Sequence, residues 1–217
     1  MVYYSNAQLS SFPWIVSCDT LRSEDLLVKF WGVAAQLGAN LSPILPALER
    51  LVGEDSNAED WGEDAAAAAL EALTDTLQDL APSGFYFGAS EGDGACFGYW
   101  LGEDWAAALE TIGLDGDDPT DWAELIARLE ADGLEADRIE DAYAGRAEGY
   151  SEDRAGADYA LDLAQDTWLP ELPSGLGWAQ WPISCIDWSH AWRELQLGDG
   201  YRLHDIGGGD WLVFRSF

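Results

Sequence analysis

The feature that most constrains this chain is a block of acidic residues in its middle. Residues 54–171 contain 32 Asp and Glu residues and four Arg residues, a net charge of −28, whereas residues 1–53 carry −1 and residues 172–217 carry −2. A net charge of roughly 2–8 keeps a small domain soluble, and a larger excess destabilises the compact state through self-repulsion. We therefore expect these carboxylates to lie on exposed faces and to form a dedicated surface.

The remaining composition is that of a folded protein. The chain has 217 residues, 48% of them hydrophobic, and 12 Trp residues. This length suits one to two domains, and this apolar content is too high for a disordered acidic tail. Because a thin, highly charged molecule needs large buried groups to stay folded, we expect the Trp residues to lie in the core.

Local patterns predict both helices and β-hairpins. Apolar residues recur at helical spacing behind capping residues, and two glycine-rich turns each join a pair of aromatic runs. The predicted hairpins pair residues 84–90 with 95–101 and residues 201–206 with 210–215. The predicted helices are 23–38, 43–51, 57–81, 105–112, 120–129, 135–143, 151–165 and 187–195. These patterns predict an α+β fold, an elongated multi-domain chain of small helical and antiparallel β-hairpin modules.

The charge distribution also suggests domain boundaries. We expect a mostly helical N-terminal domain over residues 1–81 and an acidic α/β body over residues 82–171. Residues 172–217 would form a C-terminal helix and hairpin. Because this last segment is nearly neutral, it could meet a copy of itself without strong repulsion.

Several functions are excluded by what the sequence lacks. No basic cluster is present to displace counterions from phosphates, so direct binding of nucleic acid or of an anionic membrane is not expected. No apolar run approaches the roughly 20 residues of a transmembrane helix, and no basic region precedes an apolar signal core. We expect a cytoplasmic protein in which Cys18, Cys96 and Cys185 are buried free thiols.

No catalytic or metal-binding motif stands out. The acidic run at residues 115–118 resembles a calcium loop, but Pro119 and Ile126 occupy its fifth and twelfth positions. His190 and His204 accompany no nucleophile motif, and we expect them to be surface or packing residues. The sequence therefore predicts no cofactor, no metal and no enzymatic activity.

The acidic side chains themselves are the candidate functional groups. Carboxylates spaced three or four residues apart on a helix lie roughly 5–6 Å from one another, comparable to phosphates along a DNA strand. A charge of −28 matches that of about 14 base pairs. We therefore predict an acidic DNA-mimic architecture that occupies the DNA channel of a DNA-binding enzyme. The predicted phosphate-mimicking residues are Glu103, Asp104, Asp117, Asp118, Asp121, Glu124, Glu130, Asp132, Glu135, Asp137, Glu140, Asp141, Glu148, Glu152, Asp153, Asp158, Asp162 and Asp166.

The tail of the chain resembles a known family. Two parts of the tail are similar to the C-terminal helix and hairpin of the ArdA antirestriction proteins. They are the run with Ile186, Asp187-Trp188, Ala191-Trp192 and Glu194-Leu195, and the closing Val213-Phe214. Tyr-x-Gly at 143–145 and Asp-Tyr-Ala at 158–160 resemble two further elements, with an insertion around residues 147–154. The resemblance covers roughly residues 84–217, and residues 1–80 lie outside it.

This resemblance implies an elongated, acidic, dimeric α/β protein that mimics bent DNA and inhibits type I restriction-modification enzymes. Since dimer contacts in that family lie toward the C-terminal domain, we expect a homodimer formed through the tail. Its predicted interface aromatics are Trp188, Trp192, Tyr201 and Trp211.

Three alternatives remain open from the residues alone. The near-neutral N-terminal domain could recognise one effector protein, such as a CRISPR effector, making the chain an anti-defence adaptor. An acidic hydrolase is a second alternative. Adaptation to high salt would also produce low Lys and abundant Asp, although the concentration of charge in one block fits a dedicated surface better.

Overall fold

The computed structural model describes residues 4–18, 20–42, 44–45, 63–114, 118–167, 183 and 185–215. Within these ranges the chain is an α+β protein with eight α-helices and two three-stranded antiparallel sheets. The helices are α1 (Asn6–Leu9), α2 (Ser23–Gln36), α3 (Glu63–Asp79), α4 (Glu103–Thr111), α5 (Pro119–Ala131), α6 (Ile139–Ala142), α7 (Glu152–Thr167) and α8 (Trp188–Asp199). The strands are β1 (Ile15–Ser17), β2 (Phe85–Ala89), β3 (Phe97–Leu101), β4 (Tyr143–Glu148), β5 (Tyr201–Gly207) and β6 (Asp210–Arg215). None of the described helices is long and apolar enough to cross a membrane.

Most of the predicted helices are confirmed within the described ranges. α2 buries the apolar face that its periodicity indicates, including Leu27 and Phe30. α8 begins where the sequence predicts, because the carboxylate of Asp187 accepts a hydrogen bond of 3.0 Å from the N–H of His190 and caps the helix. Two predictions fall partly outside the described residues. These are the helix at 43–51, of which only residues 44–45 are described, and the start of the helix at 57–81.

Unit 1 comprises Met1–Ala107 and Asp115–Ala127. Its sheet has the order β1-β3-β2, and β2 and β3 form the predicted aromatic hairpin. Phe87 of this hairpin packs edge-on against Phe30 of α2, with ring centroids 5.0 Å apart, and Leu73 of α3 joins the same core. The boundary predicted at residue 81 therefore falls inside a unit whose N-terminal helices and hairpin share one core.

Unit 2 comprises Ala108–Leu114 and Arg128–Phe217. Its sheet has the order β4-β6-β5, in which β5 and β6 form the second predicted hairpin. α7 and α8 pack on this sheet through a cluster that contains Tyr159, Trp192 and Tyr201. The boundary predicted at residue 171 lies outside the described residues.

The two helices of unit 2 approach each other closely at Gly156. This residue lies on the buried face of α7, and a Cβ atom built on it would overlap the indole ring of Trp192 on α8. Glycine at this helix position thus allows the large Trp192 side chain to be buried between α7 and the sheet.

Two strands, β1 and β4, were not predicted from the sequence. β1 lies in a segment that the sequence predicts to be mostly helical, and β4 follows a shorter helix than the one predicted at 135–143. That segment forms a 3-10 turn (Ala136–Arg138) and the four-residue helix α6 before the strand begins. Both strands pair with a hairpin strand distant in sequence, so tertiary pairing decides their conformation.

The expectation of buried free thiols is wrong for all three cysteines, because two of them form a disulfide and the third is exposed. Cys18 and Cys96 form a disulfide although 78 residues separate them in sequence. The pairing of Ser17 in β1 with Phe97 in β3 explains it, because residues 18 and 96 are next to that pair in an antiparallel ladder. The third cysteine, Cys185, is free and exposed.

The expectation that the Trp residues lie in the core is only partly correct. Trp105 and Trp192 are buried, with 7% and 1% of their surface exposed. Trp31 of α2 is instead 38% exposed. Helical spacing places Trp31 at the edge of the buried face, one turn after Leu27, and Val28 further toward the solvent side.

Candidate functional site

The predicted phosphate-mimicking carboxylates lie on the surface wherever the structure describes them. Asp117 lies outside the described residues. Of the other 17, 14 are exposed, and three, Glu124, Glu130 and Asp158, are half-buried. Twelve belong to unit 2 and five to unit 1. Exposure keeps these carboxylates solvated, which is the condition for accumulating so many like charges on one fold.

Many of these carboxylates also have a local structural role. Eight of them occupy the first turn of a helix, where an acidic side chain interacts favourably with the unpaired backbone N–H groups. These eight are Glu103, Asp104, Asp121, Asp137, Glu140, Asp141, Glu152 and Asp153. Helix stability is therefore sufficient to explain their position.

Three aspartates beyond the first turn of α7 are not explained in this way. Asp158, Asp162 and Asp166 recur every four residues on α7, and we call them the α7 acidic row. The buried residues Ala160 and Ala164 lie on the opposite side of α7, whereas buried Ala155 lies on the row's own side, one turn before Asp158. The helical rise of 1.5 Å per residue separates successive members of the row by about 6 Å along the axis.

The electrostatics of the α7 acidic row reflect this crowding. Partial burial raises the pKa of Asp162 above its ordinary value, and the neighbouring charges of Asp158 and Asp166 raise this pKa further. Asp158 also accepts a hydrogen bond of 3.3 Å from the N–H of Glu148, which ties the row to β4. No member of the row forms an ion pair with another described residue. The row is therefore a line of carboxylates that form no ion pair within the described structure.

The predicted interface aromatics do not form one surface. Trp192 and Tyr201 are 1% and 8% exposed and pack with Tyr159 inside unit 2. Trp188 and Trp211 are half-buried, and the indole N–H of Trp211 donates a 2.9 Å hydrogen bond to the carbonyl of Gly149. Only Trp188 and Trp211 keep an accessible part that a second copy could contact.

The two histidines differ in environment. His190 is exposed, whereas His204 is buried against Phe214 with its Nε2 atom 3.4 Å from a carboxylate oxygen of Asp132. Burial lowers the pKa of His204 below its ordinary value, and the charge of Asp132 opposes this shift only in part. This environment disfavours the charged form of His204, which packs within unit 2 against Phe214, one of the two roles expected from the sequence.

A groove in unit 1 brings together residues from the β2–β3 hairpin and the start of α4. It has a volume of about 480 Å³, and we call it the Tyr86 groove. Its lining consists of Gly84, Tyr86, Glu91, Gly102, Glu103, Asp104 and Trp105. Burial raises the pKa of the Tyr86 phenol, and the charges of Glu91 and Glu103 raise it further. Glu91 is absent from the predicted site because it lies in a hairpin turn, and only the folded hairpin brings it near the start of α4.

These features suit the binding of cations or of cationic surfaces. In the described ranges, no three His, Cys, Asp or Glu side chains gather in a way that could hold a metal ion. The acidic groups are instead distributed along helix faces and around one groove. Comparisons with family models, with curated proteins and with solved structures found no match to this chain.

Proposed function

We propose that this protein is an antirestriction DNA mimic that occupies the DNA-binding groove of a host defence enzyme, with type I restriction-modification complexes as the principal target. The observation that carries this proposal is the α7 acidic row, three aspartates at regular spacing with no cationic partner among the described residues. An enzyme groove that binds phosphates supplies the missing cations. Attraction of this kind produces fast, salt-sensitive association.

The wider charge distribution supports the same proposal. Of the 17 described carboxylates of the predicted surface, 14 are exposed, and the acidic block has a net charge of −28. The resemblance of residues 84–217 to ArdA proteins leads to the same function by a separate argument. Under this proposal the protein acts in the host cytoplasm, needs no cofactor, is not an enzyme and forms a homodimer through its C-terminal segment.

The test is competition between this protein and labelled DNA for a purified type I restriction-modification complex. The variant replaces Asp158, Asp162 and Asp166 by Asn, which removes three charges but keeps side-chain size and an acceptor for the N–H of Glu148. If each aspartate forms one exposed charge pair with the target, the half-displacing concentration should rise by about 3- to 150-fold in this variant. The displacement should also weaken for the parent protein as salt rises.

The matched control replaces three exposed aspartates of α3, Asp64, Asp75 and Asp79, by Asn. This variant has the same net charge but an intact α7 acidic row. Equal weakening by both triple variants would show that total charge alone matters and would contradict a specific role for the row. Failure of the parent protein to displace DNA at low salt would refute the proposed target.

One observation favours a second candidate, an adaptor that binds a specific effector protein such as a CRISPR effector. Five of the seven exposed large hydrophobic side chains in the described ranges lie within the first 45 residues, where the charge is nearly balanced. Deleting residues 1–53 would not test this candidate, because Phe30 and its neighbours belong to the core of unit 1. Replacing exposed Val28 and Trp31 by Ser leaves that core intact. Loss of inhibition in this variant, with the α7 variant still active, would support the adaptor.

A further inference from the structure

The Tyr86 groove is built by a close approach of two backbone segments. The N–H of Gly102, at the end of β3, donates a hydrogen bond of 2.8 Å to the carbonyl of Gly84. Gly84 has a φ of 79°, and a Cβ atom built on it would lie 2.9 Å from the Trp105 ring. A Cβ atom on Gly102 would lie 3.1 Å from the Gly84 carbonyl oxygen. The two glycines thus let β2 approach the first turn of α4.

This approach brings aromatic and acidic groups to one concave surface. Tyr86 on β2 and Trp105 on α4 contribute rings, and Glu91 enters from the hairpin turn. Glu103 and Asp104 add two further carboxylates from α4. All three carboxylates are exposed, and none forms an ion pair with a described residue. The groove therefore has a negative charge that favours a cationic ligand, and its walls include two aromatic rings.

Among protein side chains, arginine fits this combination best. Its guanidinium group is planar, carries five N–H donors and stacks on aromatic rings, so it can contact several carboxylates and Tyr86 at once. A lysine ammonium group is a compact, strongly hydrated charge that gains less from the rings. The groove volume of about 480 Å³ also lies within the range of sites that enclose small ligands.

We propose that the Tyr86 groove is a docking site for an arginine side chain of the partner protein. The identity of that partner as a DNA-binding enzyme rests on the proposed function, whereas recognition of the guanidinium group rests on the groove. In this arrangement Glu91, Glu103 and Asp104 bind the guanidinium group, and the Tyr86 ring stacks on it. The groove thus adds a defined contact to the diffuse attraction of the acidic surface.

The test uses the full-length protein alone, titrated with N-acetyl-arginine amide and followed by amide chemical shifts in NMR spectra. We expect saturable shifts concentrated at the amides of residues 84–86, 91 and 102–105. The corresponding lysine derivative should bind more weakly. Replacing Glu91 and Glu103 together by Gln should weaken arginine binding by about 2- to 30-fold, the effect of losing two exposed charge pairs.

The matched control replaces Glu71 and Glu110, two exposed glutamates outside the groove, by Gln. Its arginine affinity should equal that of the parent protein. Shifts spread evenly over the acidic faces, equal weakening in both double variants, or equal affinity for the lysine derivative would each overturn the proposal. The titration contains no target enzyme, so it tests the groove independently of the proposed function. If arginine binds the groove but the protein does not displace DNA from the restriction-modification complex, only the proposed function is refuted.

Discussion

Replacing Gly156 by Ala tests the packing of α7 against α8 directly. An added Cβ atom would overlap the indole of Trp192, which is 1% exposed and enclosed by Tyr159 and Tyr201. Overpacking of a filled core costs typically about 1–3 kcal/mol. The higher helix propensity of Ala returns about 1 kcal/mol at most. Because three atoms of a buried ring meet the added Cβ, the cost lies at the upper end of this range, and we expect a net destabilisation of about 2 kcal/mol.

The same substitution at Gly32 provides the matched control. Gly32 lies within α2, is exposed, and has no atom within 4 Å of a built Cβ. Gly32→Ala should therefore stabilise the chain by about 0.5–1 kcal/mol through helix propensity alone. The two substitutions are chemically identical, so opposite signs isolate the contribution of the Trp192 contact.

Differential scanning calorimetry measures both variants against the parent protein. A change of 1 kcal/mol corresponds to a shift in Tm of roughly 2–4 °C for a chain of this size. We expect a lower Tm for Gly156→Ala and a higher Tm for Gly32→Ala. An unchanged or raised Tm for Gly156→Ala would refute the close approach of α7 to Trp192.

Three further perturbations test other parts of the structure. Burial lowers the pKa of His204, so as pH falls the unfolded chain takes up the proton at a higher pH than the folded chain does. The contribution of His204 to stability should therefore be complete above about pH 6.5 and decrease below it. The difference in Tm between the parent protein and His204→Gln should narrow from pH 8 to pH 5, and a constant difference would contradict this. The hydroxyl of Tyr99 is buried without a hydrogen-bond partner, whereas that of Tyr4 donates to a backbone carbonyl at 2.7 Å. Tyr99→Phe should therefore leave the free energy of unfolding unchanged or raise it, and Tyr4→Phe should lower it by about 1 kcal/mol, measured by urea denaturation; the reverse order would contradict these contacts. Reduction of the Cys18–Cys96 disulfide should lower stability by about 4 kcal/mol, as estimated from its long loop, and thiol alkylation with mass spectrometry should detect one free thiol before reduction and three after it.

The site was predictable to the extent that it depends on charge. The exposure of the acidic side chains and the spacing of Asp158, Asp162 and Asp166 follow from composition and helical periodicity. The Tyr86 groove was not predictable, because Glu91 and Glu103 come together only when the hairpin and α4 have folded. The accessibility of the tail aromatics was also undetermined, since Trp192 is as suitable for a core as for an interface.

The sequence by itself determined the elements whose signals are local. The apolar period of α2 and α7, the Asp187 cap of α8 and the glycine-rich turns of both hairpins all act over a few residues, so they can be read without the fold. The tertiary structure alone decided β1 and β4, the disulfide and the role of Gly156. Each of these depends on contacts between residues distant along the chain, and a local sequence pattern does not indicate which distant segments will pack together.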